Sequence, residues 1–309
     1  MFYSPLRYPG GKNKLAAFIA KICIDNSING HYIEPYAGGA SVALFLLFEG
    51  YVSHITINDK DRSIYAFWYS VLNHTDELCH KIATIDISID TWYTQKKLQQ
   101  DKESINLLDL GFSTLFLNRT NHSGIITGGP IGGIEQKGKY KINCRFNKGE
   151  IINRIKKIAN NKERITLYQK DAIDLIDIFE IGMEENNIII YFDPPYYLKA
   201  DSLYMNFYKS SDHLEVSERI KKIKKIKWIL SYDNINDIKK IYSHFLHKEY
   251  SFKHTAYKAR VGNEILFFSE NLILTNIPNW NPLNFKYIKH KIIYKQKRHE
   301  FSYLHSWQP

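Results

Sequence analysis

Five consecutive apolar residues, Ile188-Ile189-Ile190-Tyr191-Phe192, run straight into Asp193-Pro194-Pro195-Tyr196. The run reads as a buried strand. A carboxylate, two prolines and an aromatic ring therefore stand at the C-terminal edge of a sheet, where open α/β sheets hold their ligands. These groups suit a planar amine. The carboxylate accepts from an amine N–H, the Asp193–Pro194 segment offers a carbonyl, and a proline brings no competing N–H. The Tyr196 ring can stack on a nucleobase. Taken alone, the tetrapeptide also fits a strand ending in a proline turn with Tyr196 in the core, because short motifs match by chance.

The 309 residues suffice for one large domain or two modest ones, and an apolar fraction of 44% is ample for a core. The net charge of +10 suits a polyanionic partner. A Lys-rich and Ile-rich proteome would give the same excess. Cys23, Cys79 and Cys144 are far apart and lack zinc spacing, so neither a metal site nor a disulfide framework is expected. The N-terminus has no signal-peptide pattern. The longest apolar run, Val42 to Phe48, is too short to span a bilayer. A soluble cytoplasmic protein without a membrane partner is the expectation.

Along the chain, Arg7-Tyr8-Pro9-Gly10-Gly11-Lys12 reads as a Gly-rich turn entering an amphipathic helix over Leu15–Ile24. His31 to Glu34 predicts a short strand. It leads through Pro35-Tyr36-Ala37-Gly38-Gly39 into a helix over Val42–Glu49, the first βα unit of a nucleotide-binding sheet. Paired glycines let backbone approach a ligand closely, although this is not the dinucleotide fingerprint. A second strand, Ile55–Asn58, ends in Asp59, about 20 residues after the glycine turn, where an acid can bind both ribose hydroxyls. In isolation Asp59 would also serve as a helix cap for Arg62–Leu72.

From Asp61 to about Tyr168 the pattern turns helical (Ile64–Leu72, Leu78–Ile85, Trp92–Gln99), then passes Arg119 and Asn121 into glycines from Gly124 to Gly133. A basic stretch from Lys137 to Lys148 follows. With Lys137, Lys139, Lys141 and Arg145, this predicts a loop or hairpin lying on a phosphate backbone. Arg and Asn are also the usual readers of guanine and adenine edges. The sheet resumes at Ile165–Tyr168, followed by Asp171 and a helix over Ala172–Phe179. After the proline motif, Lys199 to Ser211 reads as a mobile lid. A basic helix over His213–Lys225 carries Lys221 and Lys222, which are weaker candidates for phosphate contacts. Strand Trp228–Tyr232, helix Ile235–Phe245 and a hairpin of Tyr250–Tyr257 with Glu264–Phe268 close the domain. The tail from Ile277 is basic and aromatic, and its pattern leaves open whether it folds.

In this order, Tyr8-Pro9-Gly10-Gly11-Lys12, Glu34-Pro35-Tyr36-Ala37-Gly38-Gly39, Asp59 and Asp193-Pro194-Pro195-Tyr196 resemble the Dam-type, α-group DNA adenine-N6 methyltransferases. Leu117-Asn118-Arg119-Thr120-Asn121 and Gly129-Pro130-Ile131-Gly132-Gly133 resemble that family's insert. The likeness covers Leu6 to Phe268. It implies a Rossmann-like class I methyltransferase sheet with helices on both faces, interrupted by a mostly helical target-recognition region with a hairpin or Gly-rich loop. The expected segments are a cofactor-binding part (1–60), the recognition insert (61–164), a catalytic part (165–275) and a basic tail (276–309).

The resemblance also implies S-adenosylmethionine as cofactor and double-stranded DNA as partner. Tyr8 and Lys12 match the motif that contacts the cofactor, and Glu34 with Tyr36, Ala37, Gly38 and Gly39 match the loop around its methionine part. Asp59 matches the ribose acid and Asp171 the acid beside the adenine. An aromatic residue often follows that acid in the family, and here it is Ala172. Asp193, Pro194 and Tyr196 match the catalytic motif, with Asp193 close to both cofactor and target amine. Arg119, Asn121, Lys137, Lys139 and Arg145 fall in the DNA-contacting region. The implied reaction is methylation of a flipped adenine without a metal, in a bacterial or phage setting, with a monomer as the default, a dimer as the alternative, and a cognate restriction endonuclease as a partner the sequence leaves open. Methylation of RNA or protein amines, a catalytically silent DNA-binding relative, and cytosine-N4 methylation are the alternatives. The last more often has Ser in place of Asp193.

Overall fold

The computed structural model describes residues 2–8, 12–180, 187–197, 210–254, 260–277, 279–288, 291–295 and 304–306. Its frame is a seven-stranded sheet of β1 (His31–Glu34), β2 (His54–Asn58), β3 (Ile165–Tyr168), β4 (Ile188–Phe192), β5 (Lys227–Asp233), β6 (Leu246–His254) and β7 (Arg260–Phe268). The spatial order is β3-β2-β1-β4-β5-β7-β6. The first five strands pair in parallel, and β7 lies antiparallel to both β5 and β6. Strand order reverses between β1 and β4, so the crevice beyond their carboxyl ends is where such a sheet takes ligands.

Period-two alternation explains why the strands are apolar throughout. Ile188, Ile190 and Phe192 of β4 enter one core layer, and Ile189 and Tyr191 enter the other. Strand β7 does the same, with Ile265 and Phe267 on one face and Leu266 and Phe268 on the opposite one. Helix α1 (Ala16–Asp25) precedes β1; among the described residues α2 (Ser41–Phe48), α3 (Arg62–Asn73), α4 (Thr75–Thr84), α5 (Ile89–Gln100), α6 (Leu107–Thr120), α7 (Lys148–Ala159), α8 (Ala172–Glu180) and α9 (Ser210–Lys222) lie between β1 and β5, and α10 (Asn236–Ile241) follows β5. Leu175 and Phe179 of α8, Val216 and Ile220 of α9 and Ile238 of α10 cover one face. On the other lie α1 and α2, which is apolar all round and buried from Val42 to Leu47. This is the Rossmann-like methyltransferase fold. Among the described residues no helix is long and apolar enough to cross a membrane.

Helices α3 to α7 form the insert between β2 and β3. Phe67, Trp68 and Val71 of α3 share one apolar cluster with α1 and α2, so the insert is packed continuously onto the sheet layer. Gly111 of α6 permits a close crossing, because a Cβ there would stand 2.5 Å from the Ala66 carbonyl oxygen on α3. The Gly-rich stretch folds back through a bridge between Asn121 and Pro130.

The tail does fold. Strands β8 (Phe285–Ile288), β9 (Lys291–Tyr294) and β10 (Leu304–Ser306) form an antiparallel sheet. Phe285, Ile292 and Tyr294 join the cluster under α1, and Phe18 meets the rings of Trp280 at 5.6 Å and Phe285 at 5.8 Å. Several boundaries move, the hairpin to Leu246–His254 with Arg260–Phe268 among them. The helix expected over Ile235–Phe245 stops at Ile241, because the chain turns at Tyr242 and enters β6 at Leu246. The basic helix is Ser210–Lys222 rather than His213–Lys225. The expected lid, Lys199–Ser211, lies outside the described residues except for its last two, which begin α9.

Candidate active site

The turn after β1 is built on close approach. Gly38 has φ +46°, and a Cβ there would sit 2.6 Å from the Tyr8 ring; at Gly39 it would lie 2.9 Å from the Tyr8 Cβ. The paired glycines therefore let the N-terminal segment lie flat on the loop. Ala40 takes the left-handed conformation at the N-cap of α2. Buried Ala37 donates its N–H to the Asn58 carbonyl at 2.9 Å, and Tyr36 is half-buried beside it.

Asp59, at the tip of β2, faces this turn. Its Oδ2 accepts the Gly38 N–H at 3.0 Å and its Oδ1 accepts the Asp61 N–H at 3.0 Å. It is not the cap of α3. That role falls to Asp61, which accepts from the N–H groups of Ser63 and Ile64. Burial, with the nearby Asp61 charge, lifts the Asp59 carboxyl to about 7. A carboxylate beside a glycine turn at this point of the sheet has the geometry to accept hydroxyl donors from a ligand. Sequence reading missed Asn58, whose side chain donates to the carbonyls of Pro35 and Lys170 and accepts the Lys170 N–H at 2.9 Å. It stitches together the carboxyl ends of β1, β2 and β3.

Glu34 ends β1 buried, its Oε1 accepting the Tyr32 hydroxyl at 2.9 Å and the Ala43 N–H at 3.3 Å. Burial pushes its carboxyl up to about 8, so it is largely protonated at neutral pH. Asp171 caps α8 through the Ile173 N–H and pairs with Lys60 at 2.8 Å. Burial works against its charge, but the Lys60 bond and the helix N–H groups outweigh it and hold the carboxyl below the ordinary range.

Beyond β4 the proline motif closes onto Lys12. The Lys12 ammonium is buried, donates to the Tyr196 hydroxyl at 3.0 Å, pairs with Asp193 at 3.3 Å, and lies 5.0 Å from the Tyr196 ring centre. It also pairs at 2.8 Å with Glu264 of β7, a residue the sequence did not single out. Glu264 accepts from the hydroxyls of Tyr196, at 2.7 Å, and Tyr250 of β6. Ser231 of β5 donates to Asp193 at 2.7 Å and itself accepts from Tyr191. Lys12, expected beside the cofactor, therefore faces the catalytic tetrapeptide. Burial opposes its charge, yet Asp193 and Glu264 hold the ammonium well above its ordinary range. Burial raises Asp193, and Lys12 offsets only part of that rise.

The residues expected to meet DNA separate into two groups. Asn121 is fully buried: Trp92 Nε1 donates to its Oδ1 at 2.6 Å, and its Nδ2 donates to the carbonyls of Ile125 and Ile126 at 2.9 Å. Its amide holds the Gly-rich loop, and the buried side chain exposes no edge to a base in this structure. Arg119 is likewise tied inward, donating to the Pro5 carbonyl at 2.7 Å and the Arg145 carbonyl at 3.4 Å. Lys137, Lys139 and Arg145 are exposed. Arg7, Lys139, Tyr140 and Arg145 line a pocket of about 380 Å³ in the insert. Arg7 Nη1 is buried with no hydrogen-bond partner among the described residues.

Residues 8–258 match the family model for D12 class N6 adenine-specific DNA methyltransferases. Among curated proteins, the Type II methyltransferase M.MjaIII of Methanocaldococcus jannaschii is 22% identical over 207 residues, spanning 62% of this chain and 68% of that protein. Among solved structures, an uncharacterized protein from Listeria monocytogenes serotype 4b aligns with a TM-score of 0.34 and 8% identity, over 85% of this chain and 69% of that one. The rRNA methyltransferase aviRa of Streptomyces viridochromogenes aligns with a TM-score of 0.32 and 7% identity, over 82% and 84%. With the catalytic tetrapeptide, the glycine turn and the ribose-type acid gathered at one sheet edge, and the family model spanning most of its length, this chain belongs to the D12 class of N6 adenine-specific DNA methyltransferases.

Proposed function

We propose that this protein transfers a methyl group from S-adenosylmethionine to the N6 amine of an adenine flipped out of duplex DNA, as a sequence-specific DNA mark. A restriction–modification pairing with a cognate endonuclease is the setting we infer, by analogy with the relative named a Type II methyltransferase. The observation that carries the reading is the convergence of Asp193, Tyr196 and Lys12 beyond the carboxyl end of β4, next to the Gly38–Asp59 cradle.

The cradle suits the cofactor. Asp59 would take the ribose hydroxyls, the Gly38–Gly39 backbone lies against its amino-acid part, and Asp171 stands at the adenine end. When bound, the cofactor supplies an electrophilic methyl on a sulfonium. The target amine is a poor nucleophile because its lone pair is conjugated into the ring. Asp193 and the Pro194 carbonyl accept its two N–H bonds, which favours a tetrahedral nitrogen and frees that lone pair. Tyr196 stacks on the flipped base, whose extraction costs a few kcal/mol. Holding amine and donor in register supplies much of the remaining acceleration. The exposed cations Lys137, Lys139 and Arg145 neutralise backbone phosphates.

The test is transfer of labelled methyl from S-adenosylmethionine to unmethylated duplex DNA, with Asp193→Ala alongside. Label on adenine N6 that disappears in a folded Asp193→Ala protein is expected. Near-normal turnover by that variant refutes the mechanism, and label found only on RNA or protein moves the substrate.

A further inference from the structure

Two buried carboxylates compete for one buried ammonium at this site. Glu264 reaches in from β7, beside Asp233 on β5 and Tyr250 on β6 in the strand register. It accepts from Lys12, Tyr196 and Tyr250, whereas Asp193 has Ser231 and the longer contact to Lys12. Glu264 therefore makes the shorter contact to Lys12, shares its charge with Asp193, and fixes the Tyr196 hydroxyl in the same grip. We propose that Glu264 is a positioning residue for methyl transfer, holding Lys12 and Tyr196 so that Asp193 keeps its appetite for a proton.

This proposal rests on Asp193 being the group that meets the target amine. For each methyl gained, the amine nitrogen must shed one proton, and the Asp193 carboxylate is the acceptor that later releases it to water. An acceptor fully neutralised by an ammonium would be a weak one. The directions of titration agree. Burial acts on both carboxyls, but Lys12 and the hydroxyls of Tyr196 and Tyr250 carry Glu264 below its ordinary range, while Asp193 stays raised. The other groups facing Asp193 are Tyr191 on its own strand and Glu34 on β1. Glu34 titrates near 8, so it stays protonated across the acid limb and does not move it.

Glu264→Gln is the decisive substitution. The amide matches the carboxylate in shape and its oxygen still accepts from Lys12 and Tyr196, so the site stays assembled. Asp193 is then the carboxylate that keeps a full charge beside Lys12. The single-turnover rate on the pH plateau is expected to fall on the order of tenfold. Removing a negative neighbour and freeing Lys12 favour ionised Asp193, so the acid limb of the rate profile moves to lower pH. Glu264→Asp keeps the charge but shortens the reach to Tyr196, so its rate falls with the limb where wild type has it. An unmoved limb in Glu264→Gln overturns the proposal, as do equal shifts in both variants. If Glu264→Gln fails a melting and cofactor-binding check, Glu264→Asp decides alone, and a wild-type rate refutes. Asp193→Ala, run in parallel, separates the two levels. Normal turnover there removes the site itself, whereas an inactive Asp193→Ala with an unmoved Glu264→Gln limb removes only the role of Glu264.

Discussion

Gly38→Ala measures how tightly the N-terminal segment is laid onto the glycine turn. Two costs add. At φ +46° a residue with a Cβ pays for the left-handed region, about 1–2 kcal/mol. The new methyl would also stand 2.6, 2.7 and 2.9 Å from the Cε1, Cζ and Cδ1 atoms of Tyr8, so the ring must move, which costs about 1–3 kcal/mol as overpacking. A stiffer unfolded chain returns about 0.4–1 kcal/mol. The net loss is about 2–4 kcal/mol. Urea denaturation of wild type, Gly38→Ala, Tyr8→Ala and the double variant separates the terms. Without the ring only the backbone cost remains, so the cycle should show a coupling of about 1–3 kcal/mol. Additivity within about 0.5 kcal/mol would refute the argument that the Tyr8 ring is what forbids a side chain at Gly38.

Two other outcomes are expected. On the proposed reading ribose hydroxyls would donate to ionised Asp59, so cofactor binding should draw its carboxyl down from about 7 and release a proton. Calorimetry should then show S-adenosylmethionine affinity falling as pH drops through 7, by at most roughly tenfold per unit, and a flatter dependence in Asp59→Asn. A profile as steep in the variant as in wild type refutes the assignment. Asn121→Ala strands the Trp92 N–H and two carbonyls, so stability should fall on the order of 2–4 kcal/mol while the preferred DNA sequence is unchanged; a stable variant with altered preference would restore Asn121 as a base reader.

What was legible in the sequence depended on whether neighbours in space were neighbours in the chain. Asp193 to Tyr196 are contiguous at a strand end, so their position at the sheet edge could be read directly. The Gly38–Asp59 pairing follows from one βα unit and the strand beside it, which again is local. The packing role of Asn121 was not legible because an amide that can read adenine equally satisfies buried carbonyls, and the sequence does not show its burial. The tail was undecided because its aromatic residues have no period of their own. They pack on Phe18, far away in sequence. Glu264 lies 68 residues from Tyr196 and 252 from Lys12, on a strand where it looks like one polar residue at the start of an apolar run. Yet it is Glu264 that divides the Lys12 charge. On the proposed reading the motif locates the reaction, whereas the charge set around Asp193 depends on an antiparallel hairpin whose approach only the closed sheet determines.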